Sequence, residues 1–141
     1  MSRVQLALNV SDLGEAVAFY AKLFQARPAK VRAGYANFVI SEPPLKLVLF
    51  ESPAAAGTLN HLGVEVESTA DVVAATRRLT AEGLPTAVEN GVTCCHALQD
   101  KVWVSGADTR WEVYTVLADA DNPNACSCVA ENAAGEVCCG G

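Results

Sequence analysis

The chain has 141 residues and a formal net charge of −6, with 51% hydrophobic and 18% charged residues. That apolar fraction excludes a disordered chain, and no apolar run approaches the roughly 20 residues that a membrane-spanning helix needs. An isoelectric point of about 4.8, with Lys and Arg scattered rather than striped, leaves nothing to neutralise a phosphate backbone, so we expect a small-molecule partner and no nucleic acid.

The opening segment MSRVQLALNV lacks the apolar core and small-residue cleavage site of a secretory signal, so we expect a cytoplasmic protein. It alternates as a strand does, with Leu6, Leu8 and Val10 on one face and Gln5, Ala7 and Asn9 on the other. SDLGEAVAFYAKLF follows as an amphipathic helix with a polar start, and Pro28 closes it before a strand over residues 29–32. FVIS (residues 38–41) and KLVL (residues 46–49) read as two further strands.

The order then repeats. NHLGVEV (residues 60–66) sets His61 on Gln5 at an offset of 56 residues, and STADVVAATRRLTAEG repeats the helix. Pro85 follows Pro28 at 57, VWVS (residues 102–105) follows FVIS at 64, and WEVY (residues 111–114) follows KLVL at 65, which matches Leu47 to Glu112. The pattern is βαβββ written twice. We therefore expect an α+β domain over residues 1–117, in modules 1–55 and 56–117. The step from 57 to 64 means about seven extra residues in the second module, at GVTCCHA. We expect a thiol-bearing loop there, since loops carry sites on rigid frames. The alternative is a tolerated surface insertion. Residues 118–141 contain few large apolar side chains and read as a mobile Cys-rich tail. Six cysteines in a cytoplasmic chain suit metal, metalloid or redox chemistry better than a disulfide framework.

Paired βαβββ modules with metal-binding side chains on inner strands resemble the vicinal oxygen chelate superfamily, which includes glyoxalase I and the extradiol dioxygenases. The resemblance covers roughly residues 3 to 117 and implies a curved mixed sheet. Within it, HLGVEV, TCCH, WEVY and the Cys-rich tail are similar to the organoarsenical carbon–arsenic lyases of the ArsI type and their cadmium-induced relatives. The superfamily hosts isomerases, dioxygenases and binding proteins, so the adjacent cysteines are the specific signal.

His61 lies on the inner face of its strand, and imidazole is the commonest transition-metal ligand. His61 and His96 are the two histidines of the chain, so one subunit cannot build a three-histidine zinc site. Glu112 shares a strand face with Arg110 and Tyr114 in a segment fit for burial. A buried carboxylate needs a metal or a partner, and a salt bridge with Arg110 or a neighbour is the alternative to ligation. Gln5, Glu112 and His61 are the candidate ligands. Three donors leave positions open on a six-coordinate ion, which suits catalysis. The resemblance selects Fe(II), while donor spacing leaves Mn(II), Ni(II), Co(II) and Zn(II) open.

Cys94 and Cys95 are adjacent, and a disulfide between neighbours is strained, so a reduced dithiol should persist in a reducing compartment. Trivalent arsenic carrying two exchangeable oxygens can accept both thiolates. His96 either tunes these thiols, positions the segment or is simply solvated. Cys126, Cys128, Cys138 and Cys139 suit a four-thiolate site for Zn(II), Cd(II) or As(III), or a thiol trap for product.

The resemblance implies an Fe(II)- and dioxygen-dependent lyase that releases arsenite from trivalent organoarsenicals, such as methylarsenite and trivalent aromatic arsenicals. Cys94 and Cys95 would capture arsenic, Gln5, His61 and Glu112 would hold the iron, and Tyr114 is an accessory proton-handling candidate. Two other readings stay open. One is a cadmium- or arsenite-binding protein without chemistry. The other is a glyoxalase-type isomerase or catechol dioxygenase, which gives the cysteine pair no task. A monomer or homodimer and no membrane partner complete the expectation.

Overall fold

The computed structural model describes residues 2–94 and 96–120, Cys94 by its backbone alone. Strand β1 (Arg3–Val10) keeps the alternation read from sequence: Gln5, Ala7 and Asn9 are buried. Leu6, Leu8 and Val10, on the other face, pack against helix α1 (Leu13–Phe24). That helix presents Leu13, Ala16, Val17, Tyr20, Ala21 and Phe24 to the core, the i, i+3, i+4, i+7 stripe of an amphipathic helix. Asp12 Oδ1 accepts from the Glu15 amide at 2.9 Å, and the helix ends at Gln25, whose φ of 50° is left-handed.

Strands β2 (Lys30–Arg32), β3 (Tyr35–Ile40) and β4 (Leu45–Glu51) follow, and then β5 (Leu59–Glu65). Helix α2 (Thr69–Ala81) comes next, capped by Ser68 Oγ, which accepts from the Asp71 amide at 3.2 Å. Strands β6 (Thr86–Cys94), β7 (Ala97–Gly106) and β8 (Thr109–Asp119) complete the described chain.

Two compact units divide the chain, one of Arg3–Leu62 and one from Gly63 onward. Within the first the strands run β2-β3-β4-β1-β5, and within the second β8-β7-β6. The parallel pairing of β1 with β4 among antiparallel neighbours makes the sheet mixed. Among the described residues, eight strands and two α-helices are the α+β composition expected. Phe38, Ile40, Leu47 and Leu49 form the core beneath α1. Val72, Leu79 and Val102, joined by Val66, Val104 and Val113, form the core beneath α2. Among the described residues no helix is long and apolar enough to cross a membrane.

Three details differ from the sequence reading. The inserted GVTCCHA segment extends two strands rather than forming a long loop, for β6 runs to Cys94 and β7 begins at Ala97. Strand β8 passes residue 117 to Asp119, where Ala118 and Asp119 pair with Leu98 and Ala97. Finally, Leu47 is not the counterpart of Glu112. Leu47 packs beneath α1, whereas Glu112 points away from the face on which Val113 meets α2. An offset of 64, the one that relates Phe38 to Val102, matches Val48 to Glu112 and Leu49 to Val113. A one-residue slip moves every side chain to the wrong face. Valine ligates no cation either, so the set of candidate donors is unchanged.

Candidate metal and thiol site

Gln5 and His61 sit on β1 and β5 and are brought together as the repeat implied. Their Nε2 atoms are 3.3 Å apart, and both side chains are buried, at 4% and 3% exposure, so bulk water does not reach them. His61 Nδ1 lies 2.8 Å from Asn60 Oδ1, and the ring centroid is 6.3 Å from that of Phe50. An imidazole held through one nitrogen and presenting the other is the usual form of a ligating histidine. A half-turn of the Gln5 amide exchanges its nitrogen for its oxygen, so the two side chains fit as neutral donors to a divalent cation.

Glu112 has a different partner. Lys101 Nζ donates to its Oε2 at 2.7 Å, and both side chains are buried. The salt bridge weighed for this carboxylate is therefore formed, and Lys101 is a partner in it. The Arg110 guanidinium lies over the Trp103 ring, 4.1 Å from its centroid. Lys101 Nζ is 5.1 Å from the same ring and 5.9 Å from that of Tyr114, so aromatic faces supplement the ion pair. Among the described residues, no group of three or more His, Cys, Asp and Glu side chains is placed to hold a metal.

The thiol-bearing segment is shaped by Asp100, which sequence reading did not single out. The register of β6 against β7 shifts between Glu89 and Val92, and Gly91 takes a φ of 61° there, a conformation that costs glycine little. Asp100 Oδ1 accepts from the Gly91 amide at 2.7 Å, and its Oδ2 accepts from Thr69 Oγ1 at 2.5 Å. One buried carboxylate thus ties the bulge to the start of α2. Beyond it, Cys94 pairs with Ala97, His96 has a φ of 65°, and the Ala120 amide donates to the His96 carbonyl at 2.9 Å. Asp100→Ala is expected to destabilise the protein by about 1–2 kcal/mol, because it removes the acceptor of two part-buried hydrogen bonds that join the bulge to α2. Urea denaturation checks this, and an unchanged midpoint would show that the bulge holds without it. Cys95, Cys126, Cys128, Cys138 and Cys139 lie outside the described residues.

Lys101 and Glu89 are, with Asp100, buried charged residues that the sequence did not disclose. They face each other across β6 and β7, and Glu89 Oε2 is buried without a hydrogen-bond partner among the described residues. The available signal was alternation: Gln99, Lys101 and Trp103 occupy one parity of β7, against Val102 and Val104 on the helix side.

The profile described as the Glyoxalase/Bleomycin resistance protein/Dioxygenase superfamily matches residues 3–113. The chain is 64% identical over 122 residues to the cadmium-induced protein CadI of Mycobacterium tuberculosis, covering 86% of this chain and 80% of that one. It is 60% identical over 123 residues to the trivalent organoarsenical cleaving enzyme of Thermomonospora curvata, covering 86% and 82%. A Mn(II)-bound glyoxalase from Novosphingobium aromaticivorans superposes with a TM-score of 0.59 at 22% identity, over 85% of this chain and 42% of that one. An extradiol ring-cleaving dioxygenase from B. fuscum gives 0.60 at 18%, over 84% and 34%. These two structural likenesses show the fold.

Proposed function

The chain belongs to the Glyoxalase/Bleomycin resistance protein/Dioxygenase superfamily, and from that premise we propose that it cleaves the carbon–arsenic bond of trivalent organoarsenicals and releases arsenite. The buried Gln5–His61 pair is the structural observation that carries this reading, and its high identity to a relative named for organoarsenical cleavage supplies the substrate class. Cys94 and Cys95, kept reduced in the cytoplasm, exchange two As–OH bonds of the substrate for two As–S bonds and release two waters. Capture makes the later encounter local and oriented. Gln5, His61 and Glu112 are the residues that would hold a divalent cation, which we take to be Fe(II). When bound, that ion supplies the activation of dioxygen for attack at the carbon attached to arsenic. Lys101 holds the Glu112 carboxylate in position, and we assign proton handling to the Tyr114 hydroxyl on the same strand. The tail cysteines take up released arsenic rather than taking part in bond cleavage.

The test is arsenite release from methylarsenite by the Fe(II)-loaded protein with a thiol reductant, in air and without it. Release is expected in air only, and turnover under strict exclusion of dioxygen would sink the oxidative mechanism. A second reading, thiol sequestration without chemistry, is favoured by the likeness to a protein named for its induction by cadmium. Stoichiometric arsenical binding with no arsenite after prolonged incubation in air would establish it instead.

A further inference from the structure

A chain of side-chain hydrogen bonds runs from a backbone carbonyl to His61, and its direction has no freedom. The Ala55 carbonyl can only accept, so the Thr58 hydroxyl gives it its proton, at 2.6 Å. Thr58 Oγ1 can then only accept, so Asn9 presents its nitrogen Nδ2 to it, at 3.0 Å. The other end of the Asn9 amide is its oxygen, which accepts from Asn60 Nδ2 at 3.1 Å. That leaves Asn60 Oδ1 facing His61 Nδ1 at 2.8 Å. An amide oxygen accepts only, so Nδ1 carries the ring proton and Nε2, turned toward Gln5, carries a lone pair.

We propose that Asn60, backed by Asn9 and Thr58, is a positioning relay that holds His61 in the Nδ1–H tautomer so that Nε2 is unprotonated toward a cation. What Nε2 receives rests on the metal reading above; the tautomer does not. A histidine in water populates both tautomers, and which nitrogen keeps the proton is decided by the bond the other makes. Ligation needs an unprotonated nitrogen on the cation side, so a ring left in the wrong tautomer must first exchange its proton. The relay removes that step by anchoring the sense of every bond in an acceptor that has no alternative role. Outer partners of this kind change metal affinity without touching the metal.

Long-range nitrogen–proton NMR spectra of the metal-free full chain test the proposal directly. The unaltered protein is expected to show Nδ1–H at His61. Asn60→Ala should shift the ring mainly to Nε2–H, and Asn60→Asp, whose carboxylate still accepts from Nδ1, should restore the original pattern. Thr58→Val, at an exposed site and with folding checked by its thermal melt, should release the amides to turn over and introduce a measurable Nε2–H fraction. Spectra unchanged in both Asn60→Ala and Thr58→Val, or Nε2–H in the unaltered protein, overturn the proposal. Titration with Co(II) reads the consequence: Asn60→Ala should bind about 10- to 100-fold more weakly, and Asn60→Asp close to the unaltered protein. Equal losses in the two variants also overturn the relay. Co(II) affinity that is indifferent to His61→Ala instead removes the metal reading and leaves the relay to be decided by the spectra.

Discussion

Glu112→Ala is expected to lower the free energy of unfolding by about 3–5 kcal/mol, because it removes the carboxylate that the buried Lys101 ammonium pairs with at 2.7 Å. Lys101 is 1% exposed and its Nζ lies 2.7 Å from the carboxylate, so water cannot take over the charge. Lost turnover in that variant would therefore mix lost folding with lost ligation, and two companion variants separate them. Lys101→Met combined with Glu112→Leu replaces the pair by apolar groups of similar size and should recover most of the stability, while iron binding and turnover remain lost. Lys101→Met alone leaves the carboxylate buried, and a bound cation can then supply the missing positive charge. Its melting temperature should consequently rise more on addition of Fe(II) than that of the unaltered protein. Urea and thermal unfolding, with and without metal, check these outcomes. An active, iron-loaded double variant would remove Glu112 from the ligand set.

Cys94→Ser and Cys95→Ser are each expected to reduce arsenite release by at least about 100-fold, the scale of loss when a substrate is no longer held in its reacting position. A hydroxyl does not displace oxygen from trivalent arsenic to form a comparably stable bond, so one serine converts a two-point anchor into a one-point tether. Metal binding should persist in both variants, because sulfur has no part in the proposed donor set. Replacing Cys126, Cys128, Cys138 and Cys139 together by serine should leave arsenite release nearly unchanged and reduce the amount of arsenic bound per chain. Speciation of arsenic after a fixed incubation reads both. The opposite pattern, with turnover following the tail cysteines, would move substrate capture away from Cys94 and Cys95.

The contact between Gln5 and His61 was legible because the repeat relates the two residues at the same position of like strands, and both strands obey a period of two. Helix starts were legible for a similar local reason: Asp12 and Ser68 each satisfy an amide three residues along. Lys101 was hidden, since a lysine on an alternating strand usually reaches solvent. Only the pairing of Lys101 with Tyr114 and of Trp103 with Glu112 brings ammonium, carboxylate and aromatic faces together. The Asp100 tie was hidden in the same way, as its partners Thr69 and Gly91 come from α2 and β6.

By itself the sequence determined the order of strands and helices, the faces of β1 and β5, and the residue types able to bind a metal or arsenic. These follow from periodicity and side-chain chemistry, which act over a few residues. Tertiary structure decided the face-by-face match of β4 with β8, the strand character of the inserted segment, the lysine beside Glu112 and the Asn60 oxygen beside His61 Nδ1. Each of these depends on which backbone lies beside which, and on how far water is excluded, quantities that a linear pattern does not contain.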